Sequence, residues 1–331
     1  MDTERIKDSP LRAAYSAVET FVDTSDAQRL LITLWSAHTH IYRKFVATPR
    51  LSFVAEGPGT GKSVSMNVAL ALSSNPLPLG YASQSSVYSY LEEHPGTTLG
   101  LDEIDKVFGI MGRKTSRAIL ASVVNDGYSS TGTVMVMRSN QAVLMPVFTP
   151  ITTAGLGHLP EDTRTRAIEV RMTAGKPEVM FVPELHAHML GSIGDDLKRW
   201  MSTTDVRKLI EGSPVTAEEL DGSSRFQLIM APLAAIAEAA GISDVFQSAV
   251  REWQTGESDT PVRSTSEILA QAVTAILTDV PMTAAQLIEA LPQFKLSPDR
   301  FGADHLTGML REQGLHPVKT NSKYGFRKDD R

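Results

Sequence analysis

The stretch that decides the fold is residues 51–63, LSFVAEGPGTGKS. A short apolar run of strand character leads into glycines, and a segment of helical character follows over residues 64–73 and ends at Asn75-Pro76. Strand, glycine-rich turn and helix in this order form the context of a phosphate-binding loop. The residues predicted to bind the nucleotide are Gly57, Pro58, Gly59, Thr60, Gly61, Lys62, Ser63 and Val64.

The residue types in this loop suit ATP and Mg²⁺. Gly59 and Gly61 would let backbone N–H groups face a phosphate, with the helix dipole behind them. Lys62 would reach the β- and γ-phosphates, and the Ser63 hydroxyl would hold Mg²⁺. One departure is Glu56, which stands where the first glycine of this motif is expected.

A second stretch, TTLGLDEIDKVFG at residues 97–109, supplies carboxylates directly after an apolar strand. Asp102, at the predicted strand end, would orient the water shell of Mg²⁺. Glu103 would polarise the attacking water. The run at residues 150–155 predicts another central strand ending in Thr152 and Thr153, from which a polar group would contact the γ-phosphate or the water.

Three arginines are further candidates. Arg164 and Arg166 precede a predicted strand over residues 167–172, a position from which an arginine can enter the site of a neighbouring subunit and stabilise charge on the γ-phosphate. Taken alone, two arginines in TRTR indicate surface residues, and only the order of the motifs makes them site candidates. Arg225, at the start of an apolar helix, either touches the nucleotide or forms a salt bridge.

Two hairpins are candidates for contact with a polymer. Residues 132–148 read as two strands around residues 139–141, with Arg138 and Asn140 at the tip; a pore-facing hairpin and a plain surface hairpin both fit. The chain ends in three helical patterns and two short strand-like runs, which suggests a winged helix. Such a wing would contact either DNA phosphates or a protein, and its candidate residues are Lys319, Lys323, Arg327 and Lys328.

Composition narrows the function classes. The 331 residues contain no cysteine, which excludes disulfides and cysteine-based metal sites and fits a reducing cytoplasm. No apolar run is long enough for a membrane span, and no signal-peptide pattern opens the chain. The net charge of −6 argues against coating nucleic acid through bulk charge, although a locally basic surface remains compatible with it.

The predicted fold is α/β, a parallel sheet flanked by helices, with an α-helical lid and a C-terminal winged-helix-like domain. The predicted divisions are an N-terminal helical segment (1–48), a nucleotide-binding core (49–175), a lid (176–254), a linker (255–264) and the winged-helix-like domain (265–331). Ser25-Asp26 is a plausible N-cap. His38 and His40, spaced i, i+2, point to different sides of a helix, which favours packing over a shared ligand.

The order of these motifs resembles that of the AAA+ ATPases. More closely, the chain looks like a domain family of unassigned function found in phage, plasmid and mobile-element helicase or primase–helicase proteins. The matching stretches, spread over about residues 34–240, include LGLDEID, LASVVNDGYSSTGT and ITTAGLGHLPEDTRTRAIEV. Family members commonly carry TKGCGKT at the loop, where this chain has EGPGTGKS, and like this chain they lack the first glycine.

The resemblance implies a homo-oligomeric ring, expected to be a hexamer, that hydrolyses ATP in the bacterial cytoplasm. Three functions stay open. The first is a helicase or translocase acting on single-stranded or forked DNA in phage or mobile-element replication. The second is an ATP-switched initiator or helicase loader that works with other replication proteins. The third is a protein-remodelling ATPase, for which Tyr81 is the only pore-loop candidate.

Overall fold

The computed structural model describes residues 2–79, 84–108, 115–138, 141–259, 265–278, 280–294, 303–320 and 323–327. Its centre is a five-stranded parallel sheet with the strand order β2-β3-β6-β1-β7. The five strands are β1 (Arg50–Ala55), β2 (Pro76–Leu79), β3 (Thr98–Leu101), β6 (Ile151–Leu156) and β7 (Ala167–Arg171). Two antiparallel hairpins stand apart from this sheet: β4 (Thr133–Arg138) with β5 (Gln141–Pro146), and β8 (Val318–Thr320) with β9 (Lys323–Gly325).

Helices surround the sheet. Those in the first half of the chain are α1 (Thr3–Lys7), α2 (Arg12–Phe21), α3 (Asp26–His38), α4 (Lys62–Ala71), α5 (Gln84–Glu93), α6 (Ile104–Phe108) and α7 (Thr115–Asp126). Those in the second half are α8 (Glu161–Arg164), α9 (Pro183–Met201), α10 (Thr204–Gly212), α11 (Ser224–Ala239), α12 (Ser243–Asp259), α13 (Thr265–Ile276), α14 (Ala284–Ala290) and α15 (Ala303–Glu312). The predicted N-cap of α3 forms: the side chain of Ser25 accepts a hydrogen bond from Gln28 N at the start of the helix.

The sheet is buried on both faces, as a parallel sheet between helices must be. All six residues of β1 and all six of β6 are buried. On one face, Leu51 and Phe53 of β1 join a core that contains residues of α2, α3, α4, α9, α11 and α12. The N-terminal helices and the predicted lid therefore share one hydrophobic core with the sheet.

The opposite face packs against α5, α7 and the β4–β5 hairpin through a second core. Arg50 is fully buried at this side, and its guanidinium donates to Val124 O (2.8 Å), Thr149 O (2.8 Å) and Val123 O (3.2 Å). Two of these carbonyls belong to the last turn of α7, where a cation also favours the helix dipole. Nothing in the sequence pattern signals this role of Arg50.

The C-terminal helices α13, α14 and α15 form a third core with Phe326, next to the β8–β9 hairpin. Leu156, the last residue of β6, is also buried in that core, so the C-terminal module touches the sheet at the end of a central strand. The predicted linker at 255–264 begins inside a helix, because α12 continues to Asp259; residues 260–264 lie outside the described ranges.

Strand β2 has no counterpart among the sequence predictions. It is four residues long, contains Pro76 and Pro78 and lies at the edge of the sheet, which is where proline is tolerated in a strand. Among the described residues, no helix is both long and apolar enough to cross a lipid bilayer.

Candidate functional site

The predicted phosphate loop lies between the carboxyl end of β1 and the N-terminus of α4. Gly59 and Gly61 have φ angles of 73° and 82°, in the left-handed region that glycine adopts without strain. Gly57, Pro58 and Thr60 complete the loop, and Lys62, Ser63 and Val64 open the helix. The N-terminus of a ten-residue helix thus faces the loop, with the positive end of its dipole beside it.

The ammonium of Lys62 folds back over this loop. Its Nζ donates to Gly57 O at 2.7 Å and to Thr60 Oγ1 at 3.2 Å, so the charge lies at the mouth of the loop. Ser63 is the second residue of α4, next to this charge, and Val64 packs on the core beneath the helix. A cation, a hydroxyl and helix N–H groups together form a site suited to a polyphosphate.

Asp102 and Glu103 follow β3 at the same edge of the sheet. Only β6 separates β3 from β1. The two interstrand spacings between β3 and β1 therefore place the carboxylates roughly 10 Å from the loop. Asp102 is exposed, and its Oδ1 accepts a hydrogen bond from Glu103 N at 2.7 Å. Glu103 has a φ of 53°, an uncommon conformation for a residue with a side chain and one that recurs at functional sites.

The sequence prediction for Thr152 and Thr153 is wrong about where the strand ends. Strand β6 continues to Leu156, and both threonines are fully buried in its first half. Thr153 Oγ1 donates to Ser52 Oγ of β1 at 2.9 Å, which fixes it inside the sheet. Both side chains therefore lie inside the sheet, away from its carboxyl edge.

Arg164 and Arg166 lie at the opposite edge of the sheet from the phosphate loop. Ala167, the first residue of β7, pairs with Arg50 at the start of β1. The length of β1, roughly 16 Å at about 3.3 Å per residue, separates these arginines from the loop of their own chain. The backbones of these two arginines therefore lie away from the loop of their own chain, and their action on another subunit stays a prediction.

The two arginines differ in their surroundings. The guanidinium of Arg166 lies over the Tyr128 ring at 5.1 Å from its centroid and donates to Asp162 O at 2.8 Å. The Nε of Arg164 lies 3.4 Å from Glu169 Oε2, and its Nη1 is 3.9 Å from the exposed Glu161. With 37% of its side chain exposed, Arg164 presents its outer end to solvent.

The sequence leaves Arg225 between a nucleotide contact and a salt bridge, and the structure gives it a different partner. It lies at the start of α11, as expected, but its Nη1 donates to Thr165 Oγ1 at 3.0 Å. Thr165 lies between Arg164 and Arg166, so Arg225 belongs to the edge opposite the loop. Its interpretation as a contact to the nucleotide of the same chain does not fit this placement, which depends on how α11 packs and leaves no trace in local sequence.

Two residues next to Arg164, His158 and Glu169, have no counterpart in the sequence predictions. Glu169 of β7 is 1% exposed, and its Oε2 lies 2.5 Å from Nδ1 of His158. The signal that sequence offers is an acid within the otherwise apolar strand AIEV, where a charge is costly unless it is paired.

The β4–β5 hairpin forms as predicted and is joined by two residues. Arg138 ends β4 and pairs with Gln141, while Asn140 at the tip lies outside the described residues. The outward face is apolar: Met135 and Met137 are 70% and 69% exposed, and Leu144 is 61% exposed.

The C-terminal hairpin places Lys319 opposite Tyr324, which is 64% exposed. Lys319 and Arg327 are exposed, Lys323 begins β9, and Lys328 lies outside the described ranges. Directly opposed residues share one face of a hairpin, so a cation and an aromatic ring lie together there. This pairing suits a nucleic-acid strand, in which phosphates alternate with bases that stack on aromatic rings.

The donor set fits Mg²⁺. Ser63 offers a hydroxyl oxygen and Asp102 a carboxylate, the hard ligands that Mg²⁺ accepts while it keeps waters and phosphate oxygens in its remaining positions. Both residues lie at the carboxyl edge of the sheet, where the phosphates of a bound nucleotide would lie.

Comparison with known proteins yields no assignment. No family model and no curated protein matches the chain. Among solved structures it is similar to "SCCmec type IV Cch - active helicase", with 13% sequence identity and a TM-score of 0.46. This match covers 95% of this chain and 69% of that chain. A likeness of this degree carries no argument about activity, so function is inferred from the site geometry.

Proposed function

We propose that this protein is an ATPase of the AAA+ type that works as a ring, expected to be hexameric, and couples ATP hydrolysis to movement on DNA. The observation that carries the proposal is the edge shared by the phosphate loop and the Asp102–Glu103 pair. A nucleotide-binding loop after β1 and carboxylates after β3, with β6 between them, are the two halves of an ATP hydrolysis site.

The chemistry follows from these positions. Lys62 and the N–H groups of the loop would bind the β- and γ-phosphates and stabilise charge that develops during transfer. Glu103 would accept a hydrogen bond from the attacking water, orient it and take up its proton. Ser63 and Asp102 would hold Mg²⁺, which neutralises phosphate charge when bound.

The opposite edge supports a site shared between subunits. Arg164 and Arg166 lie there, and the Arg225 guanidinium donates to Thr165 between them, all away from the carboxyl edge that carries the loop. If the edge of one subunit meets the loop of the next, an arginine enters the site and stabilises the γ-phosphate. A head-to-tail contact of this kind closes into a ring when the rotation fits. Between the two candidates for this role, the half-exposed Arg164 fits better than Arg166.

DNA as the substrate is supported by Lys319 beside Tyr324, with Arg327 nearby. A strand could bind there by phosphate contact and stacking despite the net charge of −6 of the whole chain. A role in the replication of a phage or mobile element rests on the motif resemblance alone. Single-stranded or forked DNA is the substrate to test.

A second function is favoured by one observation. The outward face of the β4–β5 hairpin carries Met135, Met137 and Leu144, and this apolar surface suits a protein better than phosphates. An initiator or loader that uses ATP to control assembly on a partner replication protein would use the same hydrolysis site.

The test is the ATPase rate against protein concentration, with and without single-stranded and forked DNA. We expect a rate per subunit that rises with concentration and is stimulated by DNA. Lys62→Ala should abolish ATP binding, and Glu103→Gln should bind ATP but lower kcat by roughly 10²–10⁴-fold. The exposed Glu252→Gln in α12 is the matched control.

Normal hydrolysis by Glu103→Gln would contradict the catalytic assignment. Hydrolysis indifferent to DNA would favour the loader or remodelling function, and a strand-displacement assay would separate a translocating helicase from an ATP switch.

A further inference from the structure

Glu169 is a buried carboxylate that joins three donors from one connecting segment. Its Oε2 lies 2.5 Å from His158 Nδ1 and 3.4 Å from Arg164 Nε, while its Oε1 accepts a hydrogen bond from Leu159 N at 3.2 Å. Its side chain is 1% exposed. A buried ion pair is costly to desolvate and adds little net stability compared with an apolar residue of similar volume. Its presence here calls for a role beyond stability.

The partners of Glu169 connect the two ends of the sheet. His158 follows Gly157, whose N–H donates to Ala55 O at 3.0 Å, and Ala55 is the last residue of β1 before the phosphate loop. Arg164 ends α8, at the opposite edge. One carboxylate therefore contacts a residue anchored beside the loop and an arginine at the subunit-facing edge.

The inner nitrogen of the Arg164 guanidinium, Nε, contacts Glu169. Its Nε faces the buried carboxylate, so the outer nitrogens of the planar guanidinium extend away from the core. Glu161 lies 3.9 Å from Nη1 and is 82% exposed, which leaves that contact weak and screened by water. Glu169 thus dominates the orientation of this arginine.

We propose that Glu169 is a positioning residue that presents Arg164 to the ATP site of the neighbouring subunit, with His158 linking that orientation to the phosphate loop of its own chain. The inference rests on the proposed function and names the regulation of the same site. A change at the loop would move Gly157 and His158, and would reach Arg164 through the shared oxygen Oε2.

The first test compares Glu169→Gln with the matched control Glu161→Gln, since both carboxylates flank Arg164. Glu169→Gln should lower kcat roughly tenfold, because a charge-assisted contact becomes a neutral one, while ATP affinity changes by less than about twofold. Glu161→Gln should leave kcat unchanged. In the Arg164→Ala background, Glu169→Gln should have no further effect on kcat, because the two residues act as one unit.

A mixing experiment separates positioning from a structural defect. Glu169→Gln subunits keep an intact phosphate loop, and Lys62→Ala subunits keep an intact Arg164. Mixing them should restore hydrolysis at the interfaces where the first supplies the loop and the second the arginine. Absence of rescue, with mixed rings verified by pull-down, would overturn the proposal, since the defect would then lie in the loop of the same subunit.

Arg164→Lys provides a test that does not depend on the folding of a Glu169 variant. Because Arg164 is partly exposed, its replacement should leave the fold intact. Lysine carries one ammonium and cannot contact Glu169 and a phosphate at opposite ends of a planar group, so we expect a loss of kcat close to that of Arg164→Ala. Full activity of Arg164→Lys would overturn the proposal. Failure of the ATPase proposal itself would give a different result. The unmodified protein would then hydrolyse ATP no faster than Lys62→Ala.

Discussion

At the scale of single residues, burial sets the charge of two histidines near the end of α3. His38 is fully buried, with Nε2 2.7 Å from Thr48 Oγ1, and desolvation lowers its pKa from 6.5 to about 3. Desolvation also lowers the pKa of His40, whose Nε2 lies 2.9 Å from Leu72 O. The two rings face different neighbours, which agrees with packing roles and not with a shared ligand.

This burial predicts acid sensitivity. Because the folded-state pKa of His38 is lowered, the unfolded chain binds more protons between pH 3 and 6.5. Its contribution to stability is therefore full above pH 6.5 and falls with decreasing pH, by about 1.4 kcal/mol per pH unit. The free energy of unfolding, measured with urea, should fall less between pH 7.5 and pH 5.0 for His38→Asn than for the unmodified chain.

The control for this measurement is the exposed His316→Gln, which should keep the pH dependence of the unmodified chain. An equal loss of unfolding free energy in His38→Asn and the unmodified chain would show that His38 is not the group that titrates. His40 would then be the next residue to replace.

At the scale of elements, the phosphate loop needs glycine for its backbone conformation and not for lack of room for a side chain. Gly61 has a φ of 82°, and an added Cβ would meet only Met172 Cε at 3.8 Å. Gly57 has no left-handed φ, and nothing lies within 4 Å of an added Cβ. The two glycines therefore separate the effect of conformation from that of crowding.

We predict that Gly61→Ala weakens nucleotide binding roughly tenfold, because a left-handed conformation costs an alanine about 1–2 kcal/mol. Gly57→Ala should bind within about twofold of the unmodified chain. Titration with a fluorescent ATP analogue measures both affinities. Equal affinities in the two variants would mean that the loop does not keep this conformation when it binds nucleotide.

The elements also show what local sequence can predict. The helical segment after the loop is confirmed closely: it is predicted over residues 64–73 and is α4, Lys62–Ala71. The predicted end of β6 is wrong because Thr152 and Thr153 look like a polar stop. Both are buried inside the strand, where Thr153 bonds to Ser52 and Thr152 Oγ1 has no hydrogen-bond partner. Local patterns indicate which elements form, but tertiary packing decides where a strand ends.

For the site, the sequence did not predict contacts between residues that are far apart in the chain. The loop and the Asp102–Glu103 pair were predictable because each follows its strand directly. The partner of Arg225, Thr165, is 60 residues away and is reached only through packing of α11, so local sequence does not indicate it. The role of Glu169 depends equally on contacts that local spacing does not encode.

At the scale of the whole molecule, one hydrophobic core extends across three of the predicted divisions. The N-terminal helices and helices α9, α11 and α12 share one core with the sheet, so the described residues up to Asp259 contain two cores. The C-terminal module has its own core, to which the rest of the chain contributes Leu156 among the described residues. We infer that the module and the remainder fold as separate units.

A chain truncated after Asp259 should therefore fold cooperatively. Exposing Leu156 should lower its free energy of unfolding by about 1.5–3 kcal/mol, the value of burying one leucine. Urea unfolding of the truncated chain should superimpose on the main transition of the full chain once this cost is allowed for. The full-length variant Leu156→Thr is the control, since it weakens the contact and keeps the module.

The truncation also tests which part of the molecule carries hydrolysis and which binds DNA. Lys62, Asp102, Glu103 and Arg164 all lie before residue 259, so hydrolysis without DNA should persist. Stimulation by single-stranded DNA should fall if Lys319 and Tyr324 supply the contact. A truncated chain that aggregates while Leu156→Thr stays folded would show that the module completes the core. Undiminished DNA stimulation would instead direct attention to the β4–β5 hairpin.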